Sequence, residues 1–240
     1  MDTNIYFSYL QSFVALVEIR ILVYLLMKVI PAINEPTFER VKEKIFATRD
    51  VLGALRVHID VTDGKFTPHQ TWNNAKDLIN LRFITNNFNF NLGVHLMVEN
   101  PDEMVDEWFK AGMHAIVVHF ERAKDLNLII EKCAKADVDF ILAVNPNTGI
   151  EELGDLKRFK NIELLAVDPG SAGQEFQDIT IEKIKQLREK GFGGKIIIDG
   201  GINLETAKKV KTAGADVIVS ASYIWNNISP KKGFEELKNI

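Results

Sequence analysis

The 240-residue chain is 46% hydrophobic and 26% charged, which excludes a disordered polymer and allows one domain with a sizeable core. A formal net charge of −4 without a long basic run excludes wholesale binding along a nucleic-acid backbone. The single cysteine, Cys133, excludes an internal disulfide and predicts a reducing, cytoplasmic setting in which this thiol is inert packing.

The chain opens on a strongly apolar stretch, residues 1–26, with Glu18 and Arg20 in its middle. Those charges argue against a stable membrane span, and the start "MDTN" lacks the positive region of a secretory signal. The reading is an extension, 1–26, ahead of a working domain at 27–240. An extra amphipathic helix and a membrane-surface anchor are the alternatives.

From Met27 onward a regular pattern begins. Strands are predicted at 28–33, 55–60, 92–97, 115–120, 140–145, 164–168, 195–199 and 216–220. Between them lie helical segments such as "PTFERVKEKIFATRDVL", "PDEMVDEWFKAG", "DITIEKIKQLREKG" and "NLETAKKVKTAG". Pro101 suits a first helical turn, and Gly112, Gly191 and Gly214 suit helix ends. The strands are near-continuous apolar runs, as in a parallel sheet covered on both faces. Eight such units in about 210 residues predict a single (β/α)8 TIM barrel. A doubly wound sheet is the runner-up, but "AINEPT" after the first strand is not the Gly-rich turn it needs.

In a barrel the functional groups gather at the carboxyl ends of the strands. The second strand ends in His58 and Asp60, which period-two alternation puts on one side. The third contributes His95 and the seventh Asp199. Each alone has a plain structural reading, such as a satisfied barrel histidine or a helix cap. Together they form a His2Asp2 set suited to one divalent transition metal: zinc, iron(II), manganese or cobalt. Two glycine-rich turns, "DPGSAGQEF" and "DGGIN", and the "SASYIW" segment after the eighth strand complete the mouth. Their backbone groups are candidates to hold a phosphate: Gly170, Ser171, Ala172 and Gly173, then Gly200, Gly201, Ala221 and Ser222.

Several blocks make the chain resemble the ribulose-phosphate 3-epimerases from Met27 to its end. "VHIDVTDGKFTP" is similar to that family's His-x-Asp-x-Met-Asp-Gly segment, and "GVHLMVENPDEMVDEWFKAG" to its His-Leu-Met block. "AVNPNTGIEEL", "AVDPGSAGQEF" and "IIIDGGINLETAKKVKTAGADVIVSAS" resemble its fifth to eighth units. The resemblance implies a metal-dependent isomerase of the pentose phosphate pathway. It would interconvert D-ribulose 5-phosphate and D-xylulose 5-phosphate by two-base proton transfer at C3, through an enediolate. It implies metal binding by His58, Asp60, His95 and Asp199. Asp60 and Asp199 would be the acid/base pair, with His95 also on the substrate side. Asp63 and Gly64 would shape the turn beyond them. The partners would be a small sugar phosphate and further copies of the chain, with no nucleic acid.

The sequence departs from the family's pattern in the substrate shell. Ala32 stands for a serine, Thr62 and Leu165 for methionines, and Ala221 for a glycine, while Met97 is kept. A 3-epimerase of a six-carbon ketose phosphate is therefore an alternative, as is a phosphate-binding barrel without chemistry. A barrel lyase or decarboxylase needs a lysine or a different acidic cluster at the strand ends, and only Lys65, beyond the turn, is found. His119 and Glu121 are read as supporting or structural residues.

Overall fold

The computed structural model describes residues 27–85 and 90–240, the side chains of 80 and 82–85 excepted. The segment 1–26, read above as an extension, lies outside the described residues. Eight parallel strands close into a barrel in sequence order. They are β1 (Lys28–Ile33), β2 (Arg56–Thr62), β3 (Asn91–Met97), β4 (Ala115–His119), β5 (Asp139–Val144), β6 (Asn161–Leu165), β7 (Lys195–Asp199) and β8 (Val217–Ser220). Closure runs through β1 and β8, with Lys28 opposite Val217 and Pro31 opposite Ser220. A doubly wound sheet would keep two free edges, so the runner-up is excluded.

The helices wrap the outside: α1 (Phe38–Asp50), α2 (Ala75–Thr85), α3 (Pro101–Lys110), α4 (Leu126–Lys135), α5 (Ile179–Glu189), α6 (Leu204–Ala213), the four-residue α7 (Ser222–Trp225) and α8 (Pro230–Lys238). Local chemistry sets their ends. Pro101 opens α3. The Asn203 side chain accepts from the N–H groups of Glu205 and Thr206 at the start of α6, and Gly214, with φ 111°, stops it. Between β5 and β6 the crossover is two 3-10 turns, Ile150–Leu153 and Leu156–Arg158, instead of an α-helix. None of the described helices is long and apolar enough to cross a membrane.

The main core lies between the strands and their helices. One half centres on Ile33, Ile59, Leu96 and the fully buried Trp108, the other on Leu142, Leu164, Ile198 and Leu237. Cys133 packs into the first half, and burial pushes its thiol up to about 12, as expected for an inert cysteine. Inside the barrel the apolar clusters are smaller: Ala32, Ile197, Val217 and Val219 on one side, Val117, Ala143 and Leu165 on the other. Buried polar residues separate them, namely His58, Asp60, His95, His119 and Glu163. Such groups must find partners inside the barrel.

Two strands differ from the sequence reading by more than one residue at an end. β2 runs on to Thr62, two residues past the expected end. β6 covers Asn161–Leu165 rather than 164–168, because the following residues are drawn into a tied turn. There Gln177 N–H donates to the Ala166 carbonyl at 2.7 Å, and the Gln174 amide donates to the carbonyls of Asp168 and Ser171 at 2.7 and 2.8 Å.

Candidate active site and metal centre

Register brings the four predicted residues together. Asp60 on β2 lies directly opposite His95 on β3. Asp199 ends β7 and faces them across the barrel mouth. The Nε2 atom of His58 lies 3.2 Å from Asp60 Oδ1 and 3.9 Å from Asp199 Oδ2. The Nδ1 atom of His95 lies 3.7 Å from Asp60 Oδ1 and 3.6 Å from Asp199 Oδ2. Two nitrogens and two oxygens thus bracket one point. His58, Asp60 and His95 are at most 7% exposed, so this happens away from bulk water.

Their orientation is set from behind. His95 Nε2 is 2.8 Å from His119 Nε2, and the two rings are stacked. His119 Nδ1 lies 3.4 Å from Glu121 Oε2. Burial holds the His119 imidazole down to about 4, so it is neutral. One tautomer satisfies both contacts: His119 Nδ1–H donates to Glu121, and its bare Nε2 accepts from His95 Nε2–H. That leaves His95 Nδ1 free to face the carboxylates. Glu121 is itself fixed through Oε1, which accepts from Asn145 N–H at 2.8 Å and from the Thr148 hydroxyl at 2.5 Å. His119 and Glu121 thus stand behind His95 and do not border the mouth.

The sequence reading missed two residues. Asn34, just after β1, donates from Nδ2 to Asp60 Oδ2 at 3.0 Å and to the Gly170 carbonyl at 2.8 Å, and its Oδ1 meets His69 Nε2 at 2.9 Å. It ties the outer oxygen of Asp60 to the loop after β6. Glu163, in the middle of β6, puts Oε1 3.4 Å from His95 Nδ1 and Oε2 3.9 Å from His58 Nδ1. No signal marked Asn34. Extending the alternation back from Leu165 would have turned Glu163 inward.

Three carboxylates around two imidazoles set the electrostatics. Burial alone would raise Asp60, but the neighbouring His58 and His95 imidazoles outweigh it and hold the carboxyl far below the usual range. Burial would lower His95, yet Glu163, Asp199 and Asp60 pull it up to about 10. His58 is raised by the same carboxylates against its burial. Glu163 is pushed up to about 7, by burial first, with the imidazoles opposing. The cluster draws positive charge into itself.

Above it the mouth is lined by Asp60, Asp199, Asn34, Met97 and Leu165. All eight predicted loop residues border it too: Gly170, Ser171, Ala172, Gly173, Gly200, Gly201, Ala221 and Ser222. His58 and His95 lie beneath, outside the lining. Gly201, with φ 63°, is required by close approach, since a Cβ there would sit 2.6 Å from the Phe176 Cα. The Asp63 carboxylate accepts from the N–H groups of Lys65, Phe66 and Glu99, which shapes the turn beyond β2 as expected.

The family model described as the ribulose-phosphate 3 epimerase family matches residues 28–225. The chain belongs to the ribulose-phosphate 3-epimerase family. It is an enzyme of the isomerase class, an epimerase. A ribulose-phosphate 3-epimerase of Chlamydia muridarum (strain MoPn / Nigg) is 38% identical over 184 residues, covering 74% of this chain and 79% of that protein. One from Bacillus subtilis (strain 168) is 33% identical over 225 residues, covering 89% and 99%. The solved structure of a 3-hexulose-6-phosphate synthase aligns with TM-score 0.62 at 15% identity, over 89% of this chain and 99% of that one, a likeness of fold.

The departures from the family's pattern occupy different places in this epimerase. Leu165 borders the mouth beside the kept Met97. Thr62 is turned to structure, exchanging hydrogen bonds with Thr71 at 2.8 and 2.9 Å. Ala32 is buried in the barrel wall, where its carbonyl accepts from Trp225 Nε1 at 2.6 Å.

The residues present fit a divalent metal. His58 Nε2, Asp60 Oδ1 and His95 Nδ1 are buried without a hydrogen-bond partner although they converge. Metal–ligand bonds of about 2.0–2.2 Å give donor–donor edges of roughly 3.4 Å in a tetrahedron, near the 3.2–3.9 Å found. A dication would also supply the positive charge now drawn onto the imidazoles as protons.

Proposed function

We propose that the protein interconverts D-ribulose 5-phosphate and D-xylulose 5-phosphate by two-base proton transfer at C3. One divalent transition metal (zinc, iron(II), manganese or cobalt) would be held by His58, Asp60, His95 and Asp199. The observation that carries this reading is the placement of Asp60 and Asp199. They come from opposite parts of the barrel, border one mouth and flank the same pair of imidazoles.

Epimerisation beside a carbonyl removes a proton from one face of the carbon and returns one to the other. Two facing carboxylates do this without the sugar turning over. In this reading Asp60 takes or gives the C3 proton at Oδ2, the oxygen that Asn34 steers at 3.0 Å. Asp199 does the same on the opposite face. The buried imidazoles keep Asp60 ionised. When bound, the metal supplies positive charge to the oxygens of the enediolate. The phosphate would rest on the loop backbones after β6, β7 and β8, and His95 serves the site from beneath. A cytoplasmic location and a homo-oligomer complete the proposal.

The decisive test is proton exchange at C3, followed by NMR in D2O. D-Ribulose 5-phosphate should lose its C3 proton signal as deuterated xylulose 5-phosphate appears. Faster exchange on a six-carbon ketose phosphate would move the assignment to that sugar, and exchange on neither would overturn it.

We also propose that residues 27–240 form the whole working domain. A protein beginning at Met27 should fold and turn over as the full chain does. If it is insoluble, residues 1–26 cover an apolar face and belong to the fold.

A further inference from the structure

Glu163 is unusual even for this site. It sits on the inner face of β6, level with Ala143 on β5 and Ile197 on β7, one inward position below Leu165. It is 1% exposed, and neither carboxylate oxygen has a hydrogen-bond partner. An orphaned buried carboxylate is costly unless something positive meets it. Its Oε1 points at His95 Nδ1, the nitrogen left free by the tautomer that His119 fixes. Its Oε2 lies towards His58 Nδ1, on the side of that ring away from Asp60.

With Glu163 counted, the donor atoms lie within a limit wider than a tetrahedron's edge. One ligand atom each from His58, His95, Glu163 and Asp199 lie within 4.8 Å of one another. A tetrahedral ion with bonds of about 2.1 Å has edges of roughly 3.4 Å only. An octahedral or five-coordinate ion with bonds of about 2.2 Å has cis edges of roughly 3.1 Å and trans separations of roughly 4.4 Å. Closing the site from below with a third carboxylate turns an N2O2 set into an N2O3 set. Added oxygen donors and a higher coordination number favour manganese(II) over four-coordinate zinc.

We propose that Glu163 is a fifth donor that closes the metal site from the barrel floor and biases it towards a higher-coordinate ion such as manganese(II). The inference rests on the four-donor reading given above. Glu163 is a positioning and selecting residue for the ion, not a base for the sugar, because it does not border the mouth.

The test uses the full chain, stripped of metal and titrated separately with manganese(II) and zinc(II). Binding is read by calorimetry and by the electron paramagnetic resonance of manganese. The wild type should bind one manganese ion per chain. Glu163→Gln and Glu163→Leu should each weaken manganese binding about 10–100-fold, the range for a perturbed metal environment, with a much smaller loss for zinc. The manganese spectrum should change as well. The Glu163→Leu protein should gain less stability from manganese than wild type does. Unchanged manganese affinity in both variants, or equal losses for both metals, overturns the proposal. His95→Ala is the control for the site itself and should lose both ions. If wild type binds neither ion, the four-donor reading fails and this one with it. If wild type binds both and His95→Ala neither, the four-donor reading stands whatever Glu163 does.

Discussion

Asp60→Asn and Asp199→Asn should each lower kcat by about 10²–10⁴-fold, the usual contribution of a positioned acid/base group. The amide keeps the shape of each side chain and removes its ability to take a proton. Both aspartates also face the histidine nitrogens, so metal content must be measured with each variant. The informative assay starts from each epimer separately in D2O. A variant that keeps its ion but lacks one base should exchange the C3 proton of one epimer and fail to form the other. Opposite one-sidedness in the two variants would assign each carboxylate to a face. If both retain metal and turn over normally, the acid/base assignment is wrong.

Removal of the metal should have a comparably large effect. Dialysis against a strong chelator is expected to abolish C3 exchange, and one equivalent of a divalent transition metal should restore it. The chelated protein should also melt earlier, because an ion that binds only the folded state at 1,000 times its Kd contributes about 4 kcal/mol. The pH dependence has a definite sign. Without the ion, burial disfavours charge on His95, yet the three carboxylates hold its imidazole protonated up to about 10. Binding must displace protons from the histidines, so affinity should strengthen as pH rises and weaken as it falls. A stripped protein with full activity would sink the metal assignment.

The barrel was legible because its strands are apolar runs spaced by helices of the right length. The four strand-end residues were legible because alternation is strict within a strand: His58 and Asp60 share a face, and both stand near the carboxyl end of β2. What crossed between elements was hidden. Asn34 works through a loop from a distant part of the chain, Gly170, and nothing local marks that meeting. Glu163 was hidden by a boundary. A carboxylate ahead of "LLAVD" reads as the end of a loop, whereas β6 begins earlier and carries it inside. The link from His95 through His119 to Glu121 joins neighbouring strands, and only register shows that the rings stack.

His58, Asp60 and His95 leave the ribosome in consecutive strand–helix units, and Asp60 is paired with His95 as soon as β2 and β3 associate. Three further strands must be synthesised before Asp199 appears on β7, and the sheet cannot seal until β8 reaches β1. Long-range parallel pairing of this kind is the slow part of folding. If the proposed donor set holds a metal, a nascent chain would carry an open, partial chelate for much of its emergence. Ions held by three donors would exchange with the cellular pool more readily than ions held by the finished set. The metal supply at the moment of sealing, rather than at first encounter, would then decide which ion a new molecule keeps.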